Sequence, residues 1–296
     1  MAERDDIGNA AKRAFASHSR DWRQNHYVYP VLSRRARGVS IGVNLNPDKA
    51  CNFDCIYCQV DRTVPPTVRK VDVAVLRREL DEMLGLAAGG ALFDDPPFSN
   101  VPPALRRIND IAFSGDGEPT ACPQFPEGVR IAAELKAAHG LDDVKIVLIT
   151  DACFLSRPGV REALEVMDRN NGEIWAKLDA GTEEYYRLIN RAHVPLRHVM
   201  DNIIGAARVR PIVIQSLWMR VHGRPASDAE VEAFADRLNE VKAAGGRIKL
   251  VQLYTIARHT AEAYVSPLSN AQLDHVASVV RARCDAPIEC FYGVEG

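Results

Sequence analysis

The chain has 296 residues, 47% of them hydrophobic and 26% charged, with a formal net charge of −2. That much apolar material can bury a substantial core, whereas a near-neutral balance argues against a protein that grips a long nucleic-acid duplex through a basic surface. No apolar run approaches the ~20 residues that span a bilayer, and the charged start Met1-Ala2-Glu3-Arg4-Asp5-Asp6 lacks the apolar stretch of a secretory signal, so a cytoplasmic protein with no membrane partner is expected.

Residues 1–40 form a basic, aromatic opening. Lys12, Arg13, Arg20, Arg23, Arg34, Arg35 and Arg37 stand against Asp21 alone after residue 6, with Phe15, Trp22, Tyr27 and Tyr29 interleaved. Two readings stay open: an arm or lid for an anionic substrate, RNA included, or a basic helix and strand packed on the rest with solvated arginines. From residue 41 onward, short apolar runs alternate with amphipathic stretches. The runs Ile41–Leu45, Ile111–Phe113, Ile146–Ile149, Ile174–Leu178, Ile212–Met219 and Ile248–Tyr254 read as buried strands. Apolar residues at three- and four-residue spacing predict helices over Val73–Leu84, Val129–Ala138, Val160–Met167, Val231–Val241 and Leu273–Val280.

Thr182 and Ser227, each followed by acids, are expected N-caps, and Gly140 and Gly245-Gly246 are expected helix stops. The Gly/Pro-rich stretch Ala87–Pro103 reads as a surface excursion. Strands alternating with helices predict an α/β fold built on a parallel sheet, either a barrel or an open doubly wound sheet. The expected division is an N-terminal extension over 1–40 and a core over 41–296.

The main chemical signal is Cys51-Asn52-Phe53-Asp54-Cys55-Ile56-Tyr57-Cys58, a C-x3-C-x2-C spacing just past the first predicted strand. The other cysteines, Cys122, Cys153, Cys284 and Cys290, are scattered, and an odd total of seven does not suggest a disulfide framework. Three thiolates on one loop can converge on a thiophilic centre, zinc or an iron–sulfur cluster. A closed zinc site needs four ligands, and the next histidine in the chain is His139. A cubane [4Fe–4S] cluster held by three cysteines instead leaves one iron open to a small molecule with nitrogen and oxygen donors. A zinc knuckle completed by a distant His139 or Cys122, and three incidental buried cysteines, are the alternatives. The scattered cysteines could serve a second cluster or be inert.

Further polar residues sit at predicted strand ends, where barrel folds build their sites. Ser114-Gly115-Asp116-Gly117-Glu118-Pro119-Thr120 follows the second strand. Gly115 and Gly117 permit close backbone approach, and Glu118 offers an acceptor for an ammonium group. Lys177 and Asp179, two residues apart, share one face of the fourth strand. Gln215, Ser216, Arg220, Gln252 and Tyr254 mark the fifth and sixth, and the buried amides need partners or a ligand. Arg258 and His259 come next and could hold a substrate carboxylate or phosphate.

C-x3-C-x2-C with an aromatic before its last cysteine resembles the signature of the radical S-adenosylmethionine superfamily, and the likeness covers residues 41 to about 255. The resemblance implies a partial (β/α)6 TIM-like barrel, with a [4Fe–4S] cluster on Cys51, Cys55 and Cys58. It further implies S-adenosylmethionine bound by Tyr57, by the Gly117-Glu118 segment with Gly115, and by groups at the place of Lys177 and Asp179, while Gln215 and Gln252 are candidates for cofactor or substrate contacts or for internal hydrogen bonds.

The implied chemistry is reductive cleavage of S-adenosylmethionine. An external donor of the flavodoxin or ferredoxin type supplies the electron, and the 5′-deoxyadenosyl radical abstracts hydrogen from a small molecule, a peptide or an RNA. An activase that places a radical on a partner protein is the second enzyme reading, and a non-catalytic zinc or electron-transfer module the third. Within the superfamily, Cys51–Gln59, Gly117–Thr120 and Lys177–Ala180 resemble the branch of the tRNA wybutosine-synthesis enzymes, and Tyr29–Arg35 resembles its short uncharacterised members. The tRNA enzymes carry further cysteines upstream of the motif, whereas no cysteine precedes Cys51 here.

Overall fold

A computed structural model describes residues 22–293 apart from 34, 37, 95, 97, 259 and 261. Lys12, Arg13, Phe15, Arg20, Asp21, Arg34, Arg37 and His259 therefore lie outside the described residues. The principal sheet has eight strands in the order β1-β2-β3-β4-β5-β6-β9-β11. They are β1 (Val28–Ser33), β2 (Gly38–Val43), β3 (Ile108–Phe113), β4 (Lys145–Thr150), β5 (Gly172–Lys177), β6 (Ile212–Leu217), β9 (Ile248–Tyr254) and β11 (Ile288–Phe291). The sheet is open and, β1 apart, its described pairings are parallel. Helices α1 (Val73–Ala88), α2 (Phe125–Ala138), α3 (Pro158–Asp168), α4 (Glu183–Asn190), α5 (Leu196–Val209), α6 (Asp228–Ala243) and α7 (Asn270–Arg283) intervene. This is the α/β fold on a parallel sheet expected from the alternating pattern, in the partial-barrel form that the family resemblance implies. No described helix is long and apolar enough to cross a membrane.

The chain divides into two compact units, one of 1–50, 66–148 and 162–172, the other of 51–65, 149–161 and 173–296. In the first, β2 is buried along its whole length, and β1 lies antiparallel against it. Trp22, Tyr27 and Tyr29 of the aromatic opening are buried in this unit. Glu79 of α1, itself buried, accepts the backbone N–H groups of His26, Tyr27 and Val28 and so fixes the entry to β1. A carboxylate that collects three N–H donors satisfies groups no strand partner would reach. The predicted excursion Ala87–Pro103 is not a plain surface loop. It contains short 3-10 turns whose Leu92 and Phe98 are buried, with Phe98 edge-on to Trp22 at 5.8 Å.

In the second unit the predicted strand Ile212–Met219 splits at Trp218. β6 ends at Leu217, and β7 (Met219–Val221) leaves to form a small antiparallel sheet with β8 (Arg224–Pro225) and β10 (Val265–Pro267). Trp218 is buried, its backbone N–H bonded to the Tyr254 carbonyl at 2.8 Å. The expected caps form: Thr182 accepts the Tyr185 N–H at 3.2 Å, and Ser227 the Glu230 N–H at 3.3 Å. Gly140 and Gly245 adopt positive φ of 65° and 82° where helices end.

Candidate functional site

The cysteine loop belongs to the second unit and is held by the end of α4. The Asp54 N–H donates to the Asn190 carbonyl at 3.2 Å, and the Ile56 N–H to the Ile189 carbonyl at 2.9 Å. These are carbonyls that a helix C-terminus leaves without intrahelical partners, so the helix end serves as a clamp for the segment between the cysteines. Arg191, at φ 46°, turns the chain and pairs with Asp54 at 3.3 Å and Glu262 at 2.8 Å. Phe53 packs edge-on to Tyr186 at 5.8 Å. Cys51, Cys55 and Cys58 are half-buried and take part in no disulfide.

Beneath the loop lies a connected polar network. Tyr57 donates its hydroxyl to Asp179 Oδ2. Asn190 Nδ2 donates to the Tyr57 hydroxyl at 3.0 Å, to Asp179 Oδ2 at 3.2 Å, and toward Cys55 Sγ at 3.5 Å. Asp179 Oδ1 accepts the Leu217 N–H at 2.8 Å and Lys177 Nζ at 3.2 Å. Lys177 also donates to the Tyr254 hydroxyl at 2.8 Å and lies 5.0 Å from the centre of the Tyr57 ring. The predicted Lys177, Asp179 and Tyr57 thus meet, and the parallel register that places Lys177 opposite Gln215, and Gln215 opposite Gln252, carries the polar row across the sheet.

Burial dominates the proton affinities here. It pushes the Cys55 thiol up to about 12, while hydrogen bonds from Tyr57 and Asn190 pull the other way. Binding a thiophilic metal displaces such a proton, so a site of this kind couples metal loading to thiol ionisation. Burial, then the Asp179 charge, holds the Tyr57 phenol well above its ordinary value. At Lys177 burial favours the neutral amine, but Asp179 and Tyr254 outweigh it and keep the ammonium above the usual lysine range.

Gln215 and Gln252 are buried and bonded to each other, Gln215 Nε2 donating to Gln252 Oε1 at 2.8 Å. Among the buried side-chain oxygens of this unit without a hydrogen-bond partner are Gln215 Oε1, Asn190 Oδ1 and Ser216 Oγ. Such atoms are rare in a finished core and suit a site that receives a polar ligand. Arg220 bonds the Pro267 carbonyl at 3.1 Å, and Arg258 reaches Gln59 Oε1 at 3.2 Å.

The glycine segment lies in the first unit. Glu118 is buried and caps a short 3-10 turn, accepting the Thr120 N–H at 3.0 Å and the Thr120 hydroxyl. Asn44 and Asp116 bond each other at 2.8 Å. The room left by the missing Cβ atoms is taken by the chain itself: a Cβ on Gly115 would lie 2.4 Å from Asn44 Oδ1, and one on Gly117 2.1 Å from the Ala50 carbonyl. Gly117→Ala should therefore cost about 1–3 kcal/mol, because backbone cannot yield as a flexible side chain would. Urea unfolding checks this, and an unchanged midpoint would mean that the turn can move without loss.

Sequence reasoning did not find Asn190 or Arg62. Asp61 accepts the Thr63 N–H at 2.8 Å and turns the chain after Cys58, and the Arg62 guanidinium donates to Cys58 Sγ at 3.2 Å. Among the other cysteines, Cys153 and Cys284 are buried, and Cys122 bonds Gln124. Among the described residues, no three His, Cys, Asp or Glu side chains are gathered closely enough to grip a metal ion as they stand.

No protein-family model matches the chain. A UPF0026 protein of Methanocaldococcus jannaschii is 31% identical over 182 residues, 59% of this chain and 46% of that protein. The chain spans 34 to 62% of the length of the other curated relatives it matches. Among solved structures, native anSMEcpe with bound AdoMet aligns over 84% of this chain and 63% of its own, with a TM-score of 0.51 and 16% identity. Archaeal TYW1 aligns over 93% of this chain and 81% of its own, with a TM-score of 0.46 and 11% identity. The chain resembles radical S-adenosylmethionine proteins in its cysteine motif, and the fold it shares with anSMEcpe agrees with that resemblance.

Proposed function

We propose that the chain is a radical enzyme that binds a [4Fe–4S] cluster on Cys51, Cys55 and Cys58 and cleaves S-adenosylmethionine reductively. One observation supports this reading above the others. The three thiols sit on one loop, clamped by α4, and the side chain of the middle one reaches the same Asn190 amide that binds Tyr57 and Asp179. The donor set fits the group: thiolates suit iron, and the Asn190 amide and the Arg62 guanidinium donate toward the Cys55 and Cys58 sulfurs. When bound, the cluster supplies the electron that breaks a carbon–sulfur bond of S-adenosylmethionine, giving methionine and a 5′-deoxyadenosyl radical that takes hydrogen from a substrate.

The chain's own residues bind and orient. Lys177 and Asp179 hold fixed charges at the end of β5, and Tyr57 offers an aromatic face with its hydroxyl already engaged. The unpaired Gln215 and Asn190 oxygens are acceptors ready for the N–H or O–H groups of an adenosyl moiety. Preset groups of this kind spare the reorganisation that a flexible site would need. An external flavodoxin- or ferredoxin-type protein would deliver the electron.

The test is anaerobic incubation of the iron-loaded protein with dithionite and S-adenosylmethionine. Formation of 5′-deoxyadenosine is expected. Protein that carries about four iron and four sulfide per chain and yields none would defeat the proposal, as would a purified protein that holds zinc instead.

A further inference from the structure

The Cys55 and Cys58 sulfurs are approached by side-chain donors of a type that does not ligate metal. Asn190 Nδ2 reaches Cys55 Sγ at 3.5 Å from a buried position, and the exposed Arg62 reaches Cys58 Sγ at 3.2 Å. Both are placed by local structure. Asn190 is the last residue of α4, whose carbonyls take the loop N–H groups on either side of Cys55. Its amide orientation is set by the Asp179 carboxylate, which can only accept from it. Arg62 is brought back toward Cys58 by the turn that Asp61 makes with Thr63.

An N–H group directed at a cluster-bound sulfur stabilises the electron-rich reduced state more than the oxidised one, and a nearby cation does the same; both raise the reduction potential. We propose that Asn190 and Arg62 are positioning residues that set the reduction potential of the group bound by Cys51, Cys55 and Cys58. This rests on the cluster reading above and adds to it two residues of no metal-ligating type. It divides the control between a buried neutral donor at Cys55 and a solvent-facing charged donor at Cys58. The Arg62 contribution should weaken as salt rises, since exposed charges are screened, while that of Asn190 should not.

The experiment is an anaerobic potentiometric titration followed by electron paramagnetic resonance, on the parent protein and on Arg62→Gln, Arg62→Lys and Asn190→Leu. Arg62→Gln is expected to keep the parent's full iron and sulfide load and to show a midpoint potential shifted to more negative values. Arg62→Lys, which keeps the charge, should recover most of that shift. Asn190→Leu should shift in the same direction with an altered resonance signal. Full loading with parental potentials in both Arg62→Gln and Asn190→Leu would overturn the inference while leaving the cluster intact. Because Arg62 is exposed, its variants are expected to load fully, and a parental potential in Arg62→Gln overturns the inference even if Asn190→Leu assembles poorly. A parent protein without iron would sink the cluster reading itself, and this inference with it.

Discussion

Replacing Cys55 by Ala is expected to strip the purified protein of its iron and sulfide, from about four of each per chain to essentially none, while its helical circular dichroism stays unchanged. The reasoning is one of count and position. A loop with three thiolates has no spare ligand, so the loss of one leaves a cubane with two protein attachments. Cys55 is also the member most firmly built in, flanked by N–H groups bonded to α4 and reached by the Asn190 amide. The fold should survive, because Phe53, Ile56 and Tyr57 supply the buried contacts of the loop. Cys122→Ala and His139→Ala are the controls that separate this from the zinc alternative. Neither should change the metal content, whereas either would lose it if it completed a four-ligand zinc site. A Cys55→Ala protein with a full cluster would remove Cys55 from the ligand set.

The parts of this site that were legible in the sequence are those whose signal is local. Three cysteines within eight residues can be read without a fold, and the period of two puts Lys177 and Asp179 on one face whichever sheet they join. Gln215 and Gln252 stood out as amides in apolar runs, and the parallel register turned them into a bonded pair. Asn190 gave no such signal. Its partner Cys55 lies 135 residues away along the chain, and an asparagine at a helix end is ordinarily read as a stop. Arg62 looked like any loop arginine.

The fold divides in the same way. Parallel strands buried on both faces read as apolar runs, and five predicted helices appear with extended ends. β1 could be read only as the strand of one of two alternatives for residues 1–40, because Tyr29 and Pro30 sit within a basic, aromatic stretch and the strand lies at the sheet edge, where proline is tolerated. Helix α5 is different: Leu196, Val199, Met200, Ile203, Ile204 and Ala207 are buried at helical spacing, so its signal was present between two better-marked neighbours. The roles of Gly115 and Gly117 could not be read from composition. A glycine reveals that something comes close, and only the structure identifies it as Asn44 and the Ala50 carbonyl.

Lys177→Met should lower the stability of the protein by about 3–5 kcal/mol, the range for breaking a buried ion pair by removing one partner. The methionine fills nearly the same space, so the loss is electrostatic. The Asp179 side chain is 1% exposed and that of Lys177 19%, so solvent screens the pair little. Without the ammonium, Asp179 keeps the Leu217 N–H, Tyr57 and Asn190 as donors but carries an uncompensated charge. Urea unfolding measures the loss.

The double variant Lys177→Met/Asp179→Asn separates charge from packing. It removes the stranded charge and keeps an oxygen for the Leu217 N–H, so it should be more stable than Lys177→Met alone. In a double-mutant cycle that difference appears as coupling between the two positions. Losses that simply add, or a single-variant loss below about 1 kcal/mol, would mean that the pair behaves as a solvated one and that the network beneath the cysteine loop is held by its hydrogen bonds alone. A strong coupling would instead explain why the sequence places a lysine and an aspartate two residues apart just past the apolar run Ile174–Ala176. Each charge is then tolerated in the interior only because the other is fixed beside it, and together they keep Tyr57 and Asn190 in place under the cysteines.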